Sequence, residues 1–153
     1  MLKSRIIRDV CSLLEGQLAV MQAAAKEARH NATGEETKSE GKYDTRAIEA
    51  SYLAGAQSVQ ADKIAAAIEV LRCFEPSPCG EGDPVRSGAL VETEHGGTIV
   101  FYLLAPDGGG STVEYEGFDC IVLSPDSSLY QSLLGACPGD LIESISLLVL
   151  SVS

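Results

Sequence analysis

Thr33–Asp44, TGEETKSEGKYD, is the stretch that decides how this chain folds. It holds four acids (Glu35, Glu36, Glu40, Asp44), two lysines (Lys38, Lys42), two glycines and no aliphatic side chain. A long alanine-rich segment with helical spacing lies on each side. A polar, glycine-containing break between two such segments predicts a turn, so the stretch reads as the tip of an antiparallel helical hairpin. The hairpin would carry a knot of carboxylates to its far end.

Upstream, from about Ser4 to His30, apolar residues fall at Ile7, Val10, Leu14, Met21, Ala24 and Ala28, with Gln17 in the remaining slot. That is a seven-residue repeat, the seam of a coiled coil. Ile6, Leu13 and Val20 widen the stripe. Downstream, from about Tyr43 to Cys73, Leu53, Ala56, Ile64, Ile68 and Leu71 repeat the spacing, with Gln60 in the gap. Ser39 or Asp44 would cap this second helix. Tyr43 and Tyr52 are expected to pack against the first helix. At 1.5 Å per residue the pair makes a rod of roughly 40 Å.

Pro76, Pro78, Gly80, Gly82 and Pro84 then break the helical pattern and mark a linker. The period changes to that of strands at Gly88–Glu94 and Thr98–Ala105, joined by His95-Gly96-Gly97, and at Val113–Glu116, Phe118–Leu123 and Leu141–Val152. Asp107-Gly108-Gly109-Gly110 reads as a further turn. Ser124 is placed to cap a short helix with Pro125 at its first position, where its missing N–H costs nothing. Leu129, Leu133 and Leu134 would face the sheet, and Gly135 would end the helix. The expected architecture is α+β. It has a helical coiled-coil hairpin over residues 1–75 with an acidic tip at 33–44, a linker over 76–86, and a small antiparallel β domain with one short helix over 87–153.

Charge narrows the partners. The 153 residues carry a net charge of −11, and every Lys and Arg lies at or before Arg86. The nine acids beyond it have no basic neighbour in sequence. Phosphate binding needs cationic side chains, so a basic protein partner suits the back of the chain better than nucleic acid. Five scattered cysteines without a CxxC suggest reduced cytosolic thiols, not a zinc site or disulfide frame. Gly108–Gly110 lacks the Lys-Ser/Thr and following helix of a P-loop. Asp9 and Glu15 interrupt any signal-peptide pattern, and Ile145–Val152 is far shorter than the ~20 residues of a membrane span. The expected location is the cytoplasm.

The order of these parts resembles the GreA/GreB transcription elongation factors. The resemblance covers essentially the whole chain. Its strongest stretch is Ile121-Val122-Leu123-Ser124-Pro125, then Leu133-Leu134-Gly135, then Gly139-Asp140 and a last strand. It implies an FKBP-like carboxyl-terminal domain that docks on RNA polymerase near the secondary channel, with Ser124 and Pro125 in the partner-binding loop. It also implies that the hairpin enters the channel and that tip acids help hold a Mg²⁺ shared with the polymerase. The polymerase would then cleave backtracked RNA by two-metal chemistry.

Carried over residue by residue, this assigns catalytic assistance to Glu35, Glu36 and Glu40, and metal contact to Glu35 and Glu36. The factor would be no enzyme and would have no cofactor of its own. It would bind no specific nucleic-acid sequence and no membrane, and would be a monomer or weak dimer. The tip departs from the family's Gly-Asp-x-x-Glu-Asn-x-x-Tyr. Gly34-Glu35 and Tyr43 match its ends, but the interval is one residue longer and the Glu slot falls on Lys38 or Ser39. Cleavage stimulation and a channel competitor or pausing modulator therefore both stay open. So does a plain solvated loop on a coiled-coil adaptor with no polymerase role. A prolyl isomerase would need an apolar aromatic pocket, for which the back part offers only Phe101, Tyr102, Tyr115, Phe118 and Tyr130.

Overall fold

The computed structural model describes residues 2–34 and 45–153. Two long helices, α1 (Leu2–Gly34) and α2 (Thr45–Arg72), form the helical hairpin. Ile6, Ile7, Val10, Cys11 and Leu14 at the start of α1 meet Ile64, Ala67, Ile68 and Leu71 at the end of α2. The helices are therefore antiparallel, with their base at the linker end. Arg72 closes the base by pairing with Glu15 at 2.8 Å. The tip acids Glu35, Glu36, Glu40 and Asp44, together with Tyr43, lie outside the described residues. Among the described residues, no helix is long and apolar enough to cross a membrane.

Six strands follow: β1 (Leu90–His95), β2 (Thr98–Leu104), β3 (Thr112–Tyr115), β4 (Phe118–Leu123), β5 (Leu141–Ile142) and β6 (Leu147–Val152). The sheet order is β3-β4-β2-β1-β6-β5. The expected antiparallel sheet is largely that. Four of its pairings are antiparallel, while β2 and β4 run parallel. The reason lies in the connection. After β2 the chain does not turn back at Asp107–Gly110 but crosses over the end of β4, where the Gly110 amide donates to the Val122 carbonyl at 2.9 Å. It then forms β3 at the edge and turns through Glu116 and Gly117. Both of these sit at positive φ, as a two-residue hairpin loop demands. Gly96 and Gly97 do the same between β1 and β2.

Alternation along the strands gives the sheet two apolar faces. One holds Leu90, Phe101, Leu103, Cys120 and Val122, and the hairpin base lies on it, so hairpin and sheet share one core. The other holds Val91, Leu104, Leu123 and Val149. It is covered by the helix α3 (Ser128–Leu133) through Tyr130 and Leu133, and by Val85 of the linker. The linker is pinned at both ends: Val85 exchanges backbone bonds with Gly135 and Ala136, and the Lys3 ammonium donates to the Ser77 carbonyl at 2.7 Å. Thr93, fully buried, donates its hydroxyl to the Val100 carbonyl. No buried side-chain polar atom among the described residues lacks a partner.

Several sequence expectations are corrected. Leu141–Val152 is not one strand. Residues Glu143–Ile145 form a 3-10 turn, and Ser146 at φ 51 ends it before β6 begins. Leu134 points out at the carboxyl cap of α3, and Tyr130 takes the inward place. The coiled-coil seam holds only near the base: Met21 is half-buried, while Ala24, Ala28, Leu53 and Ala56 are exposed. Tyr52 does not pack on α1; it is 77 % exposed.

Candidate functional site

Of the two regions singled out in the sequence, the structure describes the loop at Ser124–Pro125. Neither Ser124 nor Pro125 caps or opens the helix as expected. The amino-terminal cap of α3 is Ser127, whose hydroxyl accepts from the Tyr130 amide. Ser124–Ser127 forms a separate turn, closed by the Ser127 amide donating to the Ser124 carbonyl at 2.9 Å. Proline suits the second place of such a turn because its ring presets φ there. The Ser124 hydroxyl donates to Asp126 Oδ1 at 2.5 Å. That bond is the first cause holding the exposed Asp126 carboxyl below its usual range. Gln131, one helical turn on, donates its amide to the Pro125 carbonyl at 2.7 Å.

The result is a loop fixed on its inner side with Pro125 exposed on its outer side. A prefixed loop loses little conformational freedom when a partner binds, which favours affinity. Sequence reading found Ser124 and Pro125 but missed Asp126 and Gln131, which hold them. The Ser-Pro-Asp-Ser turn signature was present, but a cap reading of Ser124 concealed it.

The second region, the acidic tip, lies outside the described residues, so the geometry of Glu35, Glu36 and Glu40 is not described. The structure does describe the support beneath them: α1 to Gly34 and α2 from Thr45, which bring the two ends of the tip segment onto one hairpin. As donors, glutamate carboxylates fit Mg²⁺, a hard cation that takes oxygen ligands and keeps several waters. Among the described residues no group of three or more His, Cys, Asp or Glu could hold a metal ion. In sequence Glu35 and Glu36 fall between α1 and α2, whereas Ser124–Pro125 follows the end of β4 and precedes α3.

The thiols are sorted by burial. Cys11 and Cys120 are buried, whereas Cys73, Cys79 and Cys137 are exposed or half-exposed, and all five are free. Burial pushes the Cys120 thiol up to about 12, against a Leu103 backbone hydrogen bond that lowers it. Burial, then Glu15, raises Cys11. Both are inert core residues, not nucleophiles.

No protein-family model matches the chain, and no curated protein matches it. Two solved structures are similar to it. The crystal structure of GreA factor homolog 1 (Gfh1) of Thermus thermophilus is 19 % identical with a TM-score of 0.37, covering 94 % of this chain and 94 % of that one. The crystal structure of Thermus aquaticus Gfh1 is 21 % identical with a TM-score of 0.36, covering 92 % of each chain.

Proposed function

We propose that this protein is an RNA-polymerase-binding accessory factor of the Gre type. Its sheet domain docks on the polymerase through Ser124–Pro125, and its hairpin carries the acidic tip into the secondary channel to modulate elongation. One observation carries the reading. The order read in the sequence, with a hairpin first and then a sheet whose Val-rich strand runs into Ser-Pro and a short Leu-Leu-Gly helix, is realised as a helical hairpin seated on a sheet that presents a preset Ser-Pro loop.

On this reading the chain breaks no bond itself, and the polymerase active site does. A Mg²⁺ held jointly with the polymerase would activate the attacking water. Glu35 and Glu36, with Glu40 third, would supply carboxylate oxygens to it. The factor works wherever the polymerase does, in the cytoplasm, as a monomer or weak dimer.

The test of docking is a pull-down with core RNA polymerase, using the intact protein and a deletion of residues 34–42. Binding by both is expected, since docking lies in the sheet domain; no binding by the intact protein rejects the reading. A transcript-cleavage assay on stalled complexes then compares the intact protein with Glu35→Ala/Glu36→Ala. Stimulation that the double substitution abolishes assigns the tip a Mg²⁺ role. Binding without stimulation favours the competitor or pausing modulator, which Lys38 or Ser39 in the family's Glu slot also favours.

A further inference from the structure

The crossover loop at Asp107–Gly110 touches both the hairpin and the partner loop. On one side, a Cβ added at Gly108 would lie 2.8 Å from Leu71 Cδ1 and 3.7 Å from Val10 Cγ1 of the hairpin base. On the other side, a Cβ at Gly109 would lie 2.0 Å from the Ser124 hydroxyl and 3.2 Å from the Ser124 amide nitrogen. Two adjacent residues therefore sit in van der Waals contact with two structures that are far apart in sequence. We infer that this loop is the joint that fixes the hairpin relative to the Ser124–Pro125 loop, with Gly108 and Gly109 as its positioning residues.

The two glycines are needed for different reasons. Gly108 has φ +78, where a side chain is strained, and it also lies against Leu71, which is 1 % exposed. A buried Leu end is held by the side chains packed around it and yields only when they shift. A methyl at 108 must therefore displace either Leu71 or the helix that carries it. Gly109 has no such φ and is required by space alone. A side chain there evicts the Ser124 hydroxyl from its place beside Asp126.

The loop itself is not free to absorb the change. The Asp107 carboxylate accepts from the Gly108 amide at 2.6 Å. The Ser111 and Gly110 amides donate to Gly108 and Val122 carbonyls, and Ala105 donates to Leu123. The same loop faces Leu14, Gln17, Gln60, Lys63, Ile64 and Ala67 across a shallow cleft. A push at 108 thus passes to the hairpin, and a push at 109 to the partner loop. What the joint aims depends on the Gre-type reading above; that a joint exists does not.

Gly110 supplies the matched control. Its φ is +86, nearly that of Gly108, but nothing lies within 4 Å of its added Cβ. Gly110→Ala therefore imposes the same kind of backbone strain with no contact. The experiment uses the full chain and two readouts: residual dipolar couplings of hairpin-base and sheet amides in the free protein, and affinity and elongation effect with core RNA polymerase.

Gly108→Ala is expected to turn the hairpin against the sheet while Gly110→Ala does not. Adding Leu71→Val, which removes the atom that clashes, is expected to restore the orientation; backbone strain alone would not be relieved by it. On polymerase, Gly108→Ala should reduce the tip-dependent effect by about 10- to 100-fold, the usual consequence of ångström-scale misplacement, and leave binding in place. Gly109→Ala should instead weaken binding by roughly tenfold.

Equal couplings for Gly108→Ala and Gly110→Ala, or no rescue by Leu71→Val, overturn the joint. If Gly108→Ala folds only when Leu71→Val is added, that rescue supports the contact; failure of both to fold while Gly110→Ala folds overturns the rescue and with it the joint. If the wild type does not bind polymerase, the Gre-type reading fails while the couplings of the free protein still decide the joint.

Discussion

The two halves of the hairpin carry the same sequence pattern and meet different fates. Near the base, Ile6, Val10, Leu14, Ile64, Ile68 and Leu71 are all buried. Farther out, every residue from Ser51 to Gln60 is exposed, and Leu53 retains 62 % of its surface. The difference is the sheet. At the base each helix touches its partner and also the face formed by Leu90, Leu103, Cys120 and Val122, and three surfaces together close a core. Beyond the sheet, among the described residues, two helices lined with alanine have only each other. Alanine favours the helix but has little apolar area to bury. Helix is therefore specified along the whole length, and tight packing only where a third layer is present.

Substitutions at equivalent pattern positions should separate the halves. Leu71→Ala at the base is expected to cost ~2–5 kcal/mol, the range for truncating a buried Leu, whereas Leu53→Ala should fall within ~0.5 kcal/mol. Urea unfolding of both proteins checks this, and equal losses would break the comparison.

Next in size is an effect of pH. Cys120 titrates at about 12 in the fold against an ordinary 9.0. The unfolded chain therefore gives up this proton first as pH rises. The stability that the neutral thiol contributes is whole below about 9 and is lost on the way to about 12. Cys120→Ala should lose stability less steeply than the wild type between those limits in alkaline denaturation curves.

The thiols allow a finer test. With a thiol reagent under native conditions, Cys73, Cys79 and Cys137 should react promptly. Cys11 and Cys120 should react only after unfolding. Prompt reaction of Cys11 would mean that the hairpin base opens readily and would blur the line between the halves.

The smallest effect is expected at Arg72→Ala. Arg72 and Glu15 are both about half exposed, so their pair should shift the unfolding midpoint little, and less still at high salt.

Much of the architecture could be read in residue types. The heptad spacing and the break at Thr33–Asp44 placed two antiparallel helices, and the glycines at 96 and 97 placed the first hairpin turn. The limits of β4 were legible because Phe118, Ile121 and Val122 favour a strand and lie between the breaks at Gly117 and Ser124-Pro125. The crossover at Asp107–Gly110 was not legible. A glycine run says that the chain bends, but whether it returns beside β2 or passes over β4 depends on which strand fills the neighbouring place.

The Ser124–Pro125 loop was half legible. Ser-Pro signals a helix start or a turn with equal force, and the choice fell to Ser127, whose hydroxyl lies within reach of the Tyr130 amide. Asp126 and Gln131 gained their roles only once the turn brought them to Ser124 and Pro125.

The sequence by itself determined local matters: where helix and strand period run, where the chain must bend, and that the acids at Glu35, Glu36 and Glu40 fall between two helices. These follow from backbone preference and side-chain spacing, which act over a few residues. Tertiary structure alone decided which part of the hairpin is buried, which strand β2 pairs with in parallel, and that Gly108 and Gly109 stand between Leu71 and Ser124. Those depend on surfaces that meet only after folding, between residues whose separation along the chain carries no local signal.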